Sequence, residues 1–569
     1  MDGDRIRPDV LIVGGGPAGS TVATLIKKYR PATSVQIVEA SVFPRDHVGE
    51  SQLPAVCAIL NEMGIWDHVE AAGFPIKVGA RYRWGLTDDL WDFNFLPNGT
   101  LKPESRPARY EGQRLQTAFQ VDRSVYDKIL LDHCRAVGCI VAENTRARQV
   151  LTESDRVAGV VVAHGDDSQE ELIEAKYYVD ATAGNLFRKA LNIGIEAPTS
   201  LRNIAIWDYW ENAEWALETG VGGTKVQIMS LGWGWVWFIP ITATRTSIGL
   251  VTSAAYYLAS GKSTEQLYMT GVTSEPLIGR LVTKATREGK PSATKDWSTL
   301  AHRLCGENWF LAGDSCGFAD PILSAGMTLA QQGARRVAYS ILELLKGGCD
   351  PQWVLASYER IQSQNIRNHI RFADYWYAGN AKFTELKEYC SKIAADSGLH
   401  LDPEEAFQWL GTGGFTNDTV GLPGLATFRV GGIRGMMERI GGRSSKWQIK
   451  GFNFFERRTN GAEEGFTALY EYGSVQRVPC LRRGDRVLPL RLVYRYVWEA
   501  LEREGEVMCL IERSIQRARV DGSSMPSQLL ARYSAETLEA MLIEGWVTGS
   551  VRPGSSYLSD SFLDAIGLA

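Results

Sequence analysis

Asp9-Val-Leu-Ile-Val-Gly-Gly-Gly-Pro-Ala-Gly19 decides how the chain begins to fold. The apolar run Val10 to Val13 ends in glycine and reads as a buried strand. Gly14, Gly16 and Gly19 follow in G-x-G-x-x-G spacing, and Ala18 to Tyr29 reads as a helix. Val35-Gln-Ile-Val-Glu39 reads as a second strand, with Glu39 twenty positions after Gly19. Glycines let the backbone approach a pyrophosphate. A helix N-terminus adds free N–H groups and the positive end of its dipole. A carboxylate at this distance takes ribose hydroxyls. The glycine spacing alone is weak evidence, but strand, turn, helix, strand and acid together predict dinucleotide binding by Gly14, Gly16, Ala18, Gly19 and Glu39.

Working outward, 569 residues exceed one small core and predict two or three domains or lobes. Hydrophobic residues make up 44% and charged residues 22%, as in a soluble globular protein. A net charge of -5 argues against nucleic acid or a membrane surface as partner. The seven histidines show no H-x-H or H-x-x-x-H pair, so no metal site is expected. The nine cysteines contain no C-x-x-C, and the first residues are charged rather than signal-like. That combination predicts a reducing, cytoplasmic setting. No run of about 18 apolar residues suggests a membrane span.

Trp233-Gly-Trp-Val-Trp-Phe-Ile-Pro240 is the second informative stretch. Alternate strand positions share a face, so Trp233, Trp235 and Trp237 are expected to form one wall. Such a wall, if exposed, would be a large apolar patch, so it should close an internal space. Plain core packing is the competing explanation.

Further stretches follow in order. Phe43-Pro-Arg-Asp-His-Val-Gly-Glu-Ser51 comes straight after the second strand, and Phe119-Gln-Val-Asp-Arg-Ser-Val-Tyr-Asp127 opens a helix through Cys134. Tyr177-Tyr-Val179 leads as a short strand into Asp180-Ala-Thr-Ala-Gly184, and Trp309-Phe-Leu-Ala-Gly-Asp314 comes later. From about residue 9 to 340 this order resembles the FAD-containing aromatic hydroxylases. The resemblance implies an α/β fold: a Rossmann-like FAD-binding domain, an interleaved substrate-side β-sheet from roughly 75–120 and 200–290, and a mainly helical C-terminal region. It places Arg123 near the flavin and Gly313-Asp314 on the ribityl chain.

Within that class, Trp235-Val-Trp-Phe-Ile-Pro240 fits W-x-W-x-I-P, and with the glycine motif it resembles the signature pair of flavin-dependent halogenases. Val48-Gly-Glu-Ser51 followed by Gly73-Phe-Pro-Ile-Lys77 and Tyr82-Arg-Trp-Gly85 is similar to the family's lysine-bearing segment. Asp320-Pro-Ile-Leu-Ser-Ala-Gly326 is similar to its flavin and halide loop. The resemblance implies that oxygen activated on reduced FAD converts chloride or bromide to hypohalous acid, and that Lys77 passes the halogen to substrate. It implies FAD contacts from Arg45, Glu50, Ser51 and Pro321, halide contacts from Ser324, Ala325 and Gly326, and a barrier of Trp233, Trp235, Trp237, Ile239 and Pro240 between flavin and substrate. A haloamine requires a neutral amine, whereas an exposed lysine titrates near about 10.4; burial would lower that value.

The tryptophan-halogenating members carry a glutamate just before the loop serine. Leu323 stands there in this chain, which points to the phenol or pyrrole branch. Asp296 is a possible covalent attachment point for FAD, with a strand-edge aspartate as the plainer reading. The sequence shows no NAD(P)H module, so FADH2 is expected from a separate NAD(P)H-dependent flavin reductase. The substrate is a small aromatic, free or tethered to a carrier protein. An aromatic monooxygenase that hydroxylates is the alternative activity, and an inactive flavoprotein-like scaffold a second one.

The expected divisions are a core over 1–345, a helical or irregular cap over 346–465, and a small helical or winged-helix-like lobe over 466–569. Helices are read at Ala330–Lys346, from Pro351 to about Ala395, at Pro489–Glu504 and at Ser534–Glu544, and Phe372, Tyr375, Trp376 and Tyr377 are candidate cap aromatics. Arg477, Arg482, Arg483, Arg486, Arg491 and Arg495 make the last segment locally basic. They suit either a solvated face or docking of an acidic carrier.

Overall fold

A computed structural model describes residues 7–85, 88–96, 101–165, 170–197, 202–216, 223–295, 297–378, 447–484 and 486–566. Asp296 lies outside the described residues, as do most of 411–460 and the far end of the helix expected to reach Ala395. The chain forms two compact units, residues 1–399 with 472–474, and residues 400–471 with 475–569.

Two sheets of the first unit position the site. One is parallel and runs Trp309–Leu311, Tyr177–Asp180, Val10–Val13, Val35–Val38, Ile140–Ala142 in space. Val10–Val13 sits centrally and is wholly buried, which explains its unbroken apolar character. The expected first helix is Pro17–Tyr29. Proline at its first position loses nothing, because that N–H has no intrahelical partner. The helix expected through Cys134 spans Arg123–Ala136, and Asp122 caps it by accepting from the Ser124 N–H.

The second sheet is the substrate-side sheet. Its order is Thr286–Arg287, Asn203–Glu211, Arg245–Ser253, Gly234–Pro240, Gly223–Leu231, Ile76–Arg83, Trp91–Asn94, with Ala118–Phe119 also on Ile76–Arg83. Alternation gives it two distinct faces. Val236, Phe238, Ile248 and Leu250 point to one side and pack with Leu267, Val272 and Ile278 from the helices Thr264–Ser274 and Pro276–Leu281. The opposite face carries Trp235 and Trp237.

Gly326–Lys346 is longer at its start than the sequence suggested and packs on Pro17–Tyr29. Pro351–Ala378 follows. Among the described residues, no helix is long and apolar enough to cross a membrane.

The second unit is built on Leu492–Ala500, Val507–Val520 and Ser527–Ile543, with Trp498, Leu510, Leu538 and Trp546 in its core. It also has strands. Arg486–Pro489 pairs with Ser474–Arg483, so the helix read from Pro489 starts only at Leu492. Arg486-Val-Leu-Pro satisfies its backbone in a hairpin, which tertiary pairing favours over helical propensity. The basic residues are largely engaged internally. Arg491 pairs with Glu471, and Arg495 with Glu499 and Asp521. Arg483 and Arg486 donate to the carbonyls of Gly545 and Glu544 at the C-terminal end of the last long helix, where cations suit the dipole.

Candidate active site

The glycine turn has the shape of a phosphate cradle. Gly14 adopts φ +109°, and a Cβ there would lie 2.4 Å from the Ala181 carbonyl oxygen. A Cβ on Gly19 would lie 1.9 Å from the Gly14 oxygen, so only glycine lets the helix seat against the turn. Gly16 caps the helix without a side-chain acceptor, leaving first-turn N–H groups open to an anion. Glu39 is held by the Gly15 and Ser41 N–H groups at 2.7 and 2.8 Å.

The segment after the second strand closes around this cradle. The Arg45 guanidinium lies over the Phe43 ring at 4.6 Å, with Nη2 3.6 Å from where a Gly16 Cβ would stand. Arg123 grips Asp127 with two hydrogen bonds (2.7 and 2.9 Å) and donates to the Val48 carbonyl at 3.0 Å. It therefore ties residues 43–51 to its own helix. Glu50 is buried and accepts from the Gly49 N–H and the Tyr209 hydroxyl, each at 3.0 Å; burial raises its pKa.

Gly313, at φ +61°, brings its turn against Ala18. Asp314 beside it stays accessible and makes no hydrogen bond among the described residues. Ser51 Oγ, Gln52 Oε1 and Thr328 Oγ1 are buried with no hydrogen-bond partner among the described residues. Buried polar atoms normally find one, so these orphans and the glycine cradle fit FAD.

The loop expected to hold the halide has its own geometry. Asp320 caps the short turn Pro321–Leu323 by accepting from the Ile322 N–H at 2.9 Å. Ser324 is left-handed (φ 56°, ψ 29°), and Ala325 returns to the right-handed region (φ -85°, ψ -15°). Such a pair forms a backbone nest that suits an anion. The Ser324 N–H is spent on the Pro321 carbonyl, whereas those of Ala325 and Gly326 donate to no other group among the described residues. A Cβ on Gly326 would fall 2.5 Å from the Phe318 ring, so glycine lets that ring close on the loop.

The three tryptophans do not form one wall. Trp235 and Trp237 share a face, 5.9 Å apart. Trp233 precedes the strand, where alternation does not yet apply. It stacks on Tyr256 at 5.0 Å and packs with Val236 and Phe238 on the helix-covered side. Trp237 lies flat over Gly249, with a ring carbon 2.1 Å from where a Cβ would be, and donates to Ser247 Oγ at 3.1 Å. Trp235 donates from Nε1 to the Tyr377 hydroxyl at 2.8 Å. Ile239 follows on the same face, and Pro240 closes the strand opposite Thr246.

Lys77 reaches the tryptophan face because of a bulge. Plain alternation would align it with Gly79, Arg81 and Arg83. The register slips, with Thr224 opposite Lys77 but Lys225 opposite Gly79. Thr224 shares its face with Val226 and Ile228, and Ile228 pairs with Trp237. The extra residue, Val78, thus re-aims Lys77 toward the tryptophans. A Cβ on Gly79 would fall 2.1 Å from the Phe93 carbonyl, so the bulge needs this glycine.

Lys77 is 1% exposed, and its Nζ sits 5.5 Å from the Phe95 ring centre. Among the described residues it forms no ion pair, and burial lowers its pKa to about 7. Tyr82, Trp91 and Trp376 form an aromatic group on this face, with Tyr82 stacked on Trp91 at 4.8 Å. Lys225 is buried too, but its register places it on the other face, paired with Asp92 at 2.8 Å. The bulge, Gly249, Tyr209 and the Tyr377 bridge depend on pairing between distant segments, and no local pattern announces them.

Comparison with known proteins identifies the family. A family model described as an FAD binding domain matches residues 7–373. The tryptophan 2-halogenase of Chondromyces crocatus is 30% identical over 66% of this chain and 68% of its own. The 1H-pyrrole-2-carbonyl-[peptidyl-carrier protein] chlorinase of Pseudomonas fluorescens is 32% identical over 66% of this chain and 85% of its own. The crystal structure of CmlS, a flavin-dependent halogenase, superposes with a TM-score of 0.73 at 23% identity, covering 97% of this chain and 98% of that one. An FAD-dependent oxidoreductase is thus the class that cradle and sheet define. The chain belongs to the flavin-dependent halogenases.

Proposed function

We propose that this halogenase places chlorine or bromine on an electron-rich phenol or pyrrole, with Lys77 as the residue that hands the halogen to the ring. One observation carries this reading. Lys77 is buried with no ion pair among the described residues, its pKa is pushed down to about 7, and a bulge turns it to the tryptophan face. A neutral amine is therefore well populated near neutral pH, as a haloamine or a hydrogen bond to hypohalous acid requires.

FAD, bound in reduced form, supplies the electrons that activate oxygen. The residues present would hold it through Gly14, Gly16, Ala18, Gly19, Glu39, Arg45, Glu50, Ser51, Arg123, Gly313, Asp314 and Pro321. The Ala325 and Gly326 amides, with Ser324, hold the halide. Trp235 and Trp237, with Ile239 and Pro240, keep substrate from the flavin, so that hypohalous acid must travel to Lys77. Trp233, on the far face, supports the strand instead.

Leu323 favours the phenol or pyrrole branch, and the similarity to a carrier-bound pyrrole chlorinase supports a pyrrole presented on a carrier. The similarity to a tryptophan 2-halogenase supports an aromatic substrate without separating the branches. FADH2 comes from a separate flavin reductase in the cytoplasm.

The test is incubation with a reductase, FAD, chloride or bromide, and free and carrier-tethered phenols, pyrroles and indoles. Products that gain halogen mass support the proposal. Products that gain only oxygen identify a hydroxylase and overturn it.

A further inference from the structure

We infer that Tyr377 is a positioning residue that joins the tryptophan strand to the halide loop. Its hydroxyl lies 2.8 Å from Trp235 Nε1 and 3.0 Å from Asp320 Oδ1. Three elements distant in sequence meet there: the strand Gly234–Pro240, the helix Pro351–Ala378 and the stem of the loop.

The polarity of the chain is fixed by chemistry. An indole Nε1–H only donates, so the tyrosine oxygen accepts from Trp235. The tyrosine proton must then point to Asp320. Oδ1 of Asp320 already accepts from the Ile322 N–H at 2.9 Å, so this oxygen takes two donors. Oδ2 is buried and makes no well-formed hydrogen bond among the described residues, although the Trp297 indole is near enough to help lower the pKa of the carboxyl. The carboxyl is thus oriented through Oδ1 by two donors. Burial pushes its pKa up to about 7.

Asp320 also caps the turn that leads through Ser324 to the Ala325 and Gly326 amides. Its orientation therefore sets where those amides point. Trp84 braces the arrangement, donating from Nε1 to the Trp376 carbonyl at 2.8 Å and packing its ring edge-on to Trp235 and Tyr377. A shift in the wall is transmitted to the loop through one hydroxyl.

This inference rests on the proposed halide loop and barrier. Its test is Tyr377→Phe, which keeps the ring and removes only the hydroxyl. Halide affinity is read without turnover, from the change that bromide causes in the absorbance of FAD-loaded protein. Halide KM, kcat and the hydrogen peroxide released per oxygen consumed are read alongside. The expected result is a three- to ten-fold weaker halide Kd and KM with kcat within two-fold, and a higher peroxide fraction. Trp235→Phe removes the donor at the other end. If the three groups act as one chain, the double variant W235F/Y377F loses no more halide affinity than Y377F alone.

A Y377F protein with wild-type halide Kd and peroxide fraction, whatever its melting temperature, overturns the inference. So does full additivity in the double variant. A wild-type protein that neither responds to bromide nor makes halogenated product refutes the proposed loop itself, which is a different failure.

Discussion

Gly249→Ala would test whether Trp237 is a fitted wall or spare packing. The added methyl would begin 2.1 Å from a Trp237 ring carbon. Carbon atoms rest at about 3.5–4.0 Å, so the indole must move by roughly 1.5 Å. No simple rotation achieves this, because the ring is wedged between Trp235 and strand Arg245–Ser253 and is tethered to Ser247. Moving it breaks that hydrogen bond, worth about 1 kcal/mol. Overpacking the buried sheet costs about 1–3 kcal/mol more. The expected loss of stability is therefore about 2–4 kcal/mol, measured by denaturant titration of the FAD-loaded protein. The same displacement opens the barrier beside Trp235. Peroxide release or hydroxylated product per oxygen consumed should rise several-fold, read by peroxide assay and product mass. A G249A protein with wild-type stability and clean halogenation would refute both the fit and the barrier.

Two predictions concern the charge on Lys77. If the neutral amine transfers the halogen, the single-turnover rate of substrate halogenation rises with pH through about 7 and then levels; a rate that falls over this window would assign an ammonium instead. Stability should also follow the amine. The folded-state pKa is about 7 and the unfolded value about 10.4, so between them the unfolded chain binds the extra proton. Stability therefore rises with pH across about 7 to 10 and is lowest below 7, by something on the order of 5 kcal/mol at about 1.4 kcal/mol per unit. Lys77→Met should abolish that slope and be more stable than wild type at pH 6; an unchanged slope would place the titration elsewhere.

The first sheet and the cradle were legible because their determinants are local. Val10–Val13, the three glycines and Glu39 lie within about thirty residues, and each element needs only its neighbours. The substrate sheet was legible as a region, since aromatic alternation marks Trp235 and Trp237. Trp233 shows the limit. Alternation assumes a strand, and the strand begins one residue later. Lys77 shows the same limit in the useful direction, because only a register slip against Gly223–Leu231 brings it to the tryptophan face. Gly249 carries no signal until Trp237 is laid across it, and Tyr377, legible as a cap aromatic, shows its bridging role only once its helix is docked against a strand more than a hundred residues away. Pro489 was read into the helix that starts at Leu492 because the apolar spacing runs on past the helix start, and pairing of Arg486–Pro489 with its partner strand decided.

The central claim is that halide oxidation and halogen transfer are separate events, with Lys77 needed only for the second. Lys77→Ala, supplied with a reductase, FAD, bromide and an external scavenger of hypohalous acid, measures both in one vessel. The account predicts that the scavenger is still halogenated at near the wild-type rate while halogenation of the bound aromatic substrate falls by at least a hundred-fold. Substrate halogenation by K77A at a near wild-type rate would contradict it.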